Sequence, residues 1–115
     1  MDYFSTYSLV AKLTSFRTIL TIAARHDWEI ESFDFNGAYL NGKLDTNEQI
    51  FMQAPPGYES DPRIVKKLLK SLYGLKQAGR CWYDTLTHAL KSLGFRASMA
   101  DPGVFIACVN GHILI

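Results

Sequence analysis

Turn signals cut this chain into short pieces, and they limit its possible fold more than any other feature. They stand at Asn36-Gly37, Asn41-Gly42, Pro55-Pro56-Gly57, Gly74, Gly94, Asp101-Pro102-Gly103 and Asn110-Gly111. Two long helices fit between them, over 15–26 and 77–93. Ser15 is the expected cap of the first, with Phe16, Ile19, Leu20, Ala23 and Ala24 as its apolar stripe and Arg25 and His26 at its negative end. In the second, Trp82, Leu86, Ala89, Leu90 and Leu93 share a face and Gly94 supplies the stop. Trp28 to Glu31 alternates as a strand, and Phe33-Asp34-Phe35 shifts the phase through a bulge or two-sided burial. Either reading puts Asp34 near the C-terminal end of a strand. Gln49 to Gln53 is a short strand closed by the prolines, 58–62 is loop, and Ile64 to Leu72 fits strand or helix. Val104–Val109 and His112–Ile115 flank Asn110-Gly111, the pattern of a β-hairpin. The order predicts one α+β unit with a largely antiparallel sheet.

At 115 residues, 48% hydrophobic and 20% charged, the chain suits one globular core and not two. The net charge of +1 conceals a segregation. From Asp27 to Asp61 there are eight acids and one base, Lys43; from Arg63 to Arg80 there are six bases and no acid. Such a division creates a positive surface for polyanions beside a negative site for cations, or two solvated faces in balance. Cys81 and Cys108 have no ligand spacing and read as small buried residues in a reducing compartment. His26, His88 and His112 are too scattered for zinc, and no segment approaches 18 apolar residues, which disfavours secretion and membrane insertion.

Asp34 is the first candidate for chemistry. A strand-end carboxylate suits Mg²⁺, which prefers oxygen ligands and shares its shell with water and phosphates, and the Phe35 carbonyl could add an oxygen. The competing reading is a strand cap beside the Asn36-Gly37 turn. In Ala38-Tyr39 the aromatic could pack under a sugar ring or belong to the core. In Gly74-Leu-Lys-Gln-Ala-Gly-Arg80 a glycine turn opens a helix whose free N–H groups suit phosphate, with Lys76 and Arg80 in support, although a glycine before a helix is common punctuation. Trp82 and Tyr83 read as packing residues. Asp101, considered as a second metal carboxylate, precedes a proline and reads as a turn.

Together these segments resemble the reverse transcriptases of copia-type LTR retrotransposons. The resemblance rests on Asp27-Trp28-Glu29, Asp34 to Gly42, Met52 to Tyr58, Leu72 to Gln77, Arg80 with Trp82, and Asp101 with Phe105, in the family's order, and covers residues 1–115. It implies a partial reverse transcriptase domain over 1–115: the palm subdomain of a right-hand polymerase with part of the fingers, an antiparallel sheet backed by two helices. It implies that Asp34 and the Phe35 carbonyl hold metal, with Asp34 catalytic, and that Ala38, Tyr39, Gly74, Lys76 and Gln77 contact the nucleotide. Tyr39 is then the gate against a ribose 2′-OH, and Lys66, Lys67, Lys70 and Arg80 contact nucleic acid. The implied reaction is RNA-directed DNA polymerisation by two-metal nucleotidyl transfer with two Mg²⁺. The implied partners are an RNA or DNA template–primer, deoxynucleotides, and the integrase and RNase H of the same polyprotein, with no membrane. The implied location is intracellular, in cytoplasm, nucleus or virus-like particle.

Two departures from the family pattern stand out. Gly79 replaces a common proline, which loosens the start of the helix. The family's Tyr-Val-Asp-Asp, which completes the metal site, follows a strand like His112–Ile115 and is not among these residues. The expectation is therefore a truncated palm that does not polymerise alone and aggregates through an unpaired Ile113–Ile115 edge. The alternative is a non-catalytic nucleic-acid-binding remnant.

Overall fold

A computed structural model describes residues 10–45, 47, 49–58, 61 and 63–115. The elements run α1 (Leu13–His26), α2 (Ala38–Asn41), β1 (Phe51–Gln53), β2 (Val65–Lys67), α3 (Ala78–Ser92), β3 (Arg96–Ala97), β4 (Phe105–Val109) and β5 (His112–Leu114). This is mixed α and β, as expected. Among the described residues the strands form two antiparallel sheets, β1-β2 and β3-β4-β5, in place of one.

Helix α1 begins two residues before the expected cap. Lys12 takes the cap position without a side-chain bond. The buried carboxylate of Asp101 serves this helix end instead, accepting the Lys12 N–H at 2.7 Å and the Ser15 hydroxyl. It also accepts the Gly103 N–H at 3.0 Å, so one side chain ties the Asp-Pro-Gly turn to the start of α1. The tether selects which face of the helix is covered. Ser15, Ile19, Leu20 and Ala23 are covered at least in part, whereas Phe16 and Ala24 of the expected stripe are exposed. At the other end Asp27 adopts φ 53°, and the Trp28 N–H bonds the Ala23 carbonyl at 2.9 Å. Proximity of His26 and Trp28 follows from that reversal, with ring centroids 5.7 Å apart.

The expected strand over 28–35 is chain without a ladder, assigned to no element, and its residues are exposed. Alternation makes a segment strand-compatible, but a strand exists only where a neighbour supplies hydrogen bonds, and no described segment does so. The undecided 64–72 segment resolves as strand β2, paired Phe51↔Lys67, Met52↔Lys66 and Gln53↔Val65. Of the expected 58–62 loop, residues 59, 60 and 62 lie outside the described residues, and 58 and 61 belong to no element. The β4-β5 hairpin forms as its sequence predicts, with Asn110 at φ 52° and Gly111 at φ 82°, the two left-handed residues of a type I′ turn.

Buried apolar side chains among the described residues are small: Ala23, Ala78, Cys81 and Ala107. The radius of gyration is 18.5 Å, against about 13 Å for a compact domain of this length. The single compact core suggested by composition is therefore thin. Cys81 is buried as expected, but Cys108 is exposed. In β4 the pleat sends Ala107 inward and Ile106 and Cys108 to the opposite side. No described helix is long and apolar enough to cross a membrane.

Candidate functional site

The segment from Phe33 to Gly42 folds back onto the start of α3, and this contact builds the site. Gly37, at φ 61°, opens the single turn of α2, and the Leu40 N–H closes it on the Gly37 carbonyl at 2.8 Å. Gly42 then passes directly over α3. A β-carbon there would lie 2.9 Å from the Trp82 nitrogen and 3.1 Å from Cys81, so only glycine permits the approach. The Gly42 carbonyl accepts the Ser71 N–H at 2.8 Å, and the Lys43 N–H reaches the Thr85 hydroxyl at 3.3 Å. Rings complete the junction. Phe35 meets Trp82 edge-on at 5.0 Å and Phe33 at 5.5 Å, while Tyr39 meets Tyr73 at 4.9 Å. Pairs of this geometry contribute about 0.5–1.5 kcal/mol each beyond burial.

Two segments distant along the sequence thus meet, and most of the expected site residues lie along their seam. Asp34 stands between Phe33 and Phe35, exposed and free of hydrogen bonds or ion pairs to the described residues. Ala38 and Tyr39 are half-buried at the start of α2, Gly74 and Lys76 are exposed in the following turns, and Gln77 is half-buried at the cap of α3. Arg80 pairs with Asp84 one turn on, at 3.6 Å, with both side chains largely exposed. Lys66 and Lys67 project from opposite faces of β2, and Lys70 lies beyond the strand.

Two expectations change here. The start of α3 is not an open phosphate cradle: Ala78 and Gly79 are buried, and the Ala78 N–H is taken by the Leu75 carbonyl at 3.1 Å. The covered face of α3 is shifted towards Ala78, Cys81 and Trp82 by the crossing Gly42 backbone, leaving Ala89 and Leu93 exposed. Trp82 and Tyr83 do pack, Trp82 on Phe35 and Tyr83 near Phe105 at 6.4 Å, with the Tyr83 hydroxyl donating to the Pro102 carbonyl at 3.1 Å. Tyr73 is the residue that inspection of the sequence did not single out. Its signal was its place before Gly74, where a turn leaves the preceding side chain free to reach a neighbour.

Asp101 is held below the usual carboxylate range, first by the Ser15 hydroxyl and then by the Lys12 N–H. Its lone pairs are engaged in structure. Among the described residues no three His, Cys, Asp or Glu side chains converge to hold a metal ion. Asp34 therefore belongs to no such group among the described residues.

Residues 1–115 match the protein family described as reverse transcriptase (RNA-dependent DNA polymerase). The chain is 42% identical over 108 residues to the retrovirus-related Pol polyprotein from transposon RE1 of Arabidopsis thaliana, covering 92% of this chain and 7% of that protein. Identity to the corresponding polyprotein from transposon TNT 1-94 of Nicotiana tabacum is 43% over 107 residues, 91% of this chain and 8% of that protein. A more distant relative, the Ty1-BL Gag-Pol polyprotein of Saccharomyces cerevisiae, is 35% identical over 78 residues, 67% of this chain and 4% of that protein. The chain spans less than a tenth of the length of these curated relatives. No solved structure matches it.

Proposed function

Because the chain belongs to the reverse transcriptase (RNA-dependent DNA polymerase) family, we propose that it supplies the palm, with part of the fingers, of a copia-type retrotransposon polymerase. The observation that carries this reading is the seam itself. Tyr39 lies against Tyr73 and Phe35 against Trp82, so the exposed Asp34 carboxylate and the turn before α3 border one surface.

On that surface Asp34 and the Phe35 carbonyl form one side of a divalent-cation site, where bound Mg²⁺ would neutralise nucleotide phosphate charge. Tyr39, braced by Tyr73, packs against the sugar and excludes a ribose 2′-OH. Gly74, Lys76 and Gln77 line the nucleotide, and Lys66, Lys67, Lys70 and Arg80 contact the backbone of template–primer. A two-ion centre requires more carboxylate than Asp34 provides, so these 115 residues alone do not polymerise. The segment would work within a longer Pol polyprotein, beside integrase and RNase H.

Primer extension tests this in a longer polymerase that carries the segment. Asp34→Asn should lower extension by about 10²–10³-fold, the size expected on losing one charged transition-state contact, while template–primer binding is kept. Full extension by the Asp34→Asn enzyme would overturn the assignment. Incorporation by the 115-residue chain itself would overturn its dependence on further residues.

A further inference from the structure

We propose that Lys43 and Lys70 form a two-lysine clamp for a single backbone phosphate of a polynucleotide. The inference rests on the nucleic-acid reading above and adds a contact, Lys43, that the sequence did not suggest. Lys43 is the lone base among the acids of 27–61.

The fold puts it elsewhere. Lys43 and Lys70 are directly opposed in an isolated antiparallel bridge, and the Ser71 N–H to Gly42 carbonyl bond at 2.8 Å holds the register. Opposed residues of such a bridge carry their side chains on the same face, with β-carbons about 4.5–5.5 Å apart. Two like charges at that spacing destabilise the fold unless something negative lies between them. No described acid does so: neither ammonium group makes a hydrogen bond or ion pair with a described residue. Asp45, the acid nearest Lys43 in sequence, accepts the Asn47 N–H at 3.0 Å. The bridge also adjoins the Tyr39–Tyr73 pair, four residues back along one segment and three forward along the other. Paired cations beside aromatic rings match the chemistry of a strand whose phosphates are neutralised while its bases or sugars stack.

The test is fluorescence anisotropy of labelled single-stranded and duplex oligonucleotides with the 115-residue chain across a salt series. Circular dichroism verifies that each variant is folded. Lys43→Gln and Lys70→Gln should each weaken binding roughly five- to tenfold at low salt and reduce the slope of log affinity against log salt by about 0.7–0.9. Lys43→Arg should restore both. The double variant should lose less than the product of the two single losses, because both lysines serve one phosphate. Without nucleic acid, Lys43→Gln should raise Tm by about 1–4 °C through relief of the repulsion, an effect a solvated lysine lacks. An unchanged affinity and slope in Lys43→Gln, with the unsubstituted chain still binding, overturns the clamp alone. Failure of the unsubstituted chain to bind any oligonucleotide overturns both the clamp and the template-contact reading. Lys43-dependent binding of a deoxynucleoside triphosphate without oligonucleotide binding overturns the assignment to a polynucleotide.

Discussion

At the scale of single residues, two glycines and one aspartate hold the fold and a second aspartate strains it. Gly42 has no room for a β-carbon against Trp82, and Gly103 has still less: a β-carbon there would lie 2.6 Å from the Ala11 α-carbon and 2.9 Å from the Val10 carbonyl carbon. Overpacking of this kind costs about 1–3 kcal/mol. Gly42→Ala should therefore lower the denaturation midpoint by that equivalent, and Gly103→Ala by at least as much. Asp101 sets a pH dependence. Its folded pKa is depressed, so its contribution is present above the unfolded value of about 3.9 and is lost as pH falls through the folded value. Thermal melts from pH 7 to pH 2 should show a decline below about pH 4 that is smaller in Asp101→Asn. Asp27 works the other way. It sits left-handed at the negative end of α1, where a side chain strains the backbone and a negative charge is repelled. Asp27→Gly should raise stability by about 0.5–1 kcal/mol, read as a higher denaturation midpoint. In the sequence Asp101 read as a turn residue, since its partner Lys12 is 89 positions away.

Among the elements, the hairpin was the most legible. Asn110-Gly111 requires two left-handed residues, and few other conformations satisfy that dipeptide between two apolar runs. Helix α3 was legible in extent but not in the face it buries, since the crossing of Gly42 decides that. The 28–35 segment shows the opposite failure. Its alternation is strand-like, but Ile30 and Phe33 stay exposed because no described neighbour pairs with it. Strand β5 is the edge of its sheet, with Ile113, Leu114 and Ile115 exposed. Such an edge templates pairing between chains. Ile113→Lys should lower the aggregation rate of the isolated chain, measured by light scattering, with little change in its circular dichroism.

The whole molecule is elongated, 61 × 31 × 26 Å, and large apolar side chains such as Phe33, Leu69 and Tyr58 remain on its surface. A chain that buries so little should unfold with a urea m-value at or below about 1 kcal/mol/M and should bind a hydrophobic dye while folded. A steep transition without dye binding would contradict the thin core. The candidate site belongs to this scale too. Asp34, Tyr39 and the Gly74–Arg80 turns were readable as pieces, because each motif is a local arrangement of residue types. Their meeting was not. By itself the sequence determined the turns, both long helices, the hairpin and the family, because backbone restrictions and short motifs act over a few residues. Only the tertiary structure decided that Gly42 crosses α3, that Tyr39 finds Tyr73, that Lys43 faces Lys70 and that Asp101 caps α1. Those contacts join residues far apart in the chain, and local preference carries no information about which distant segments close on one another.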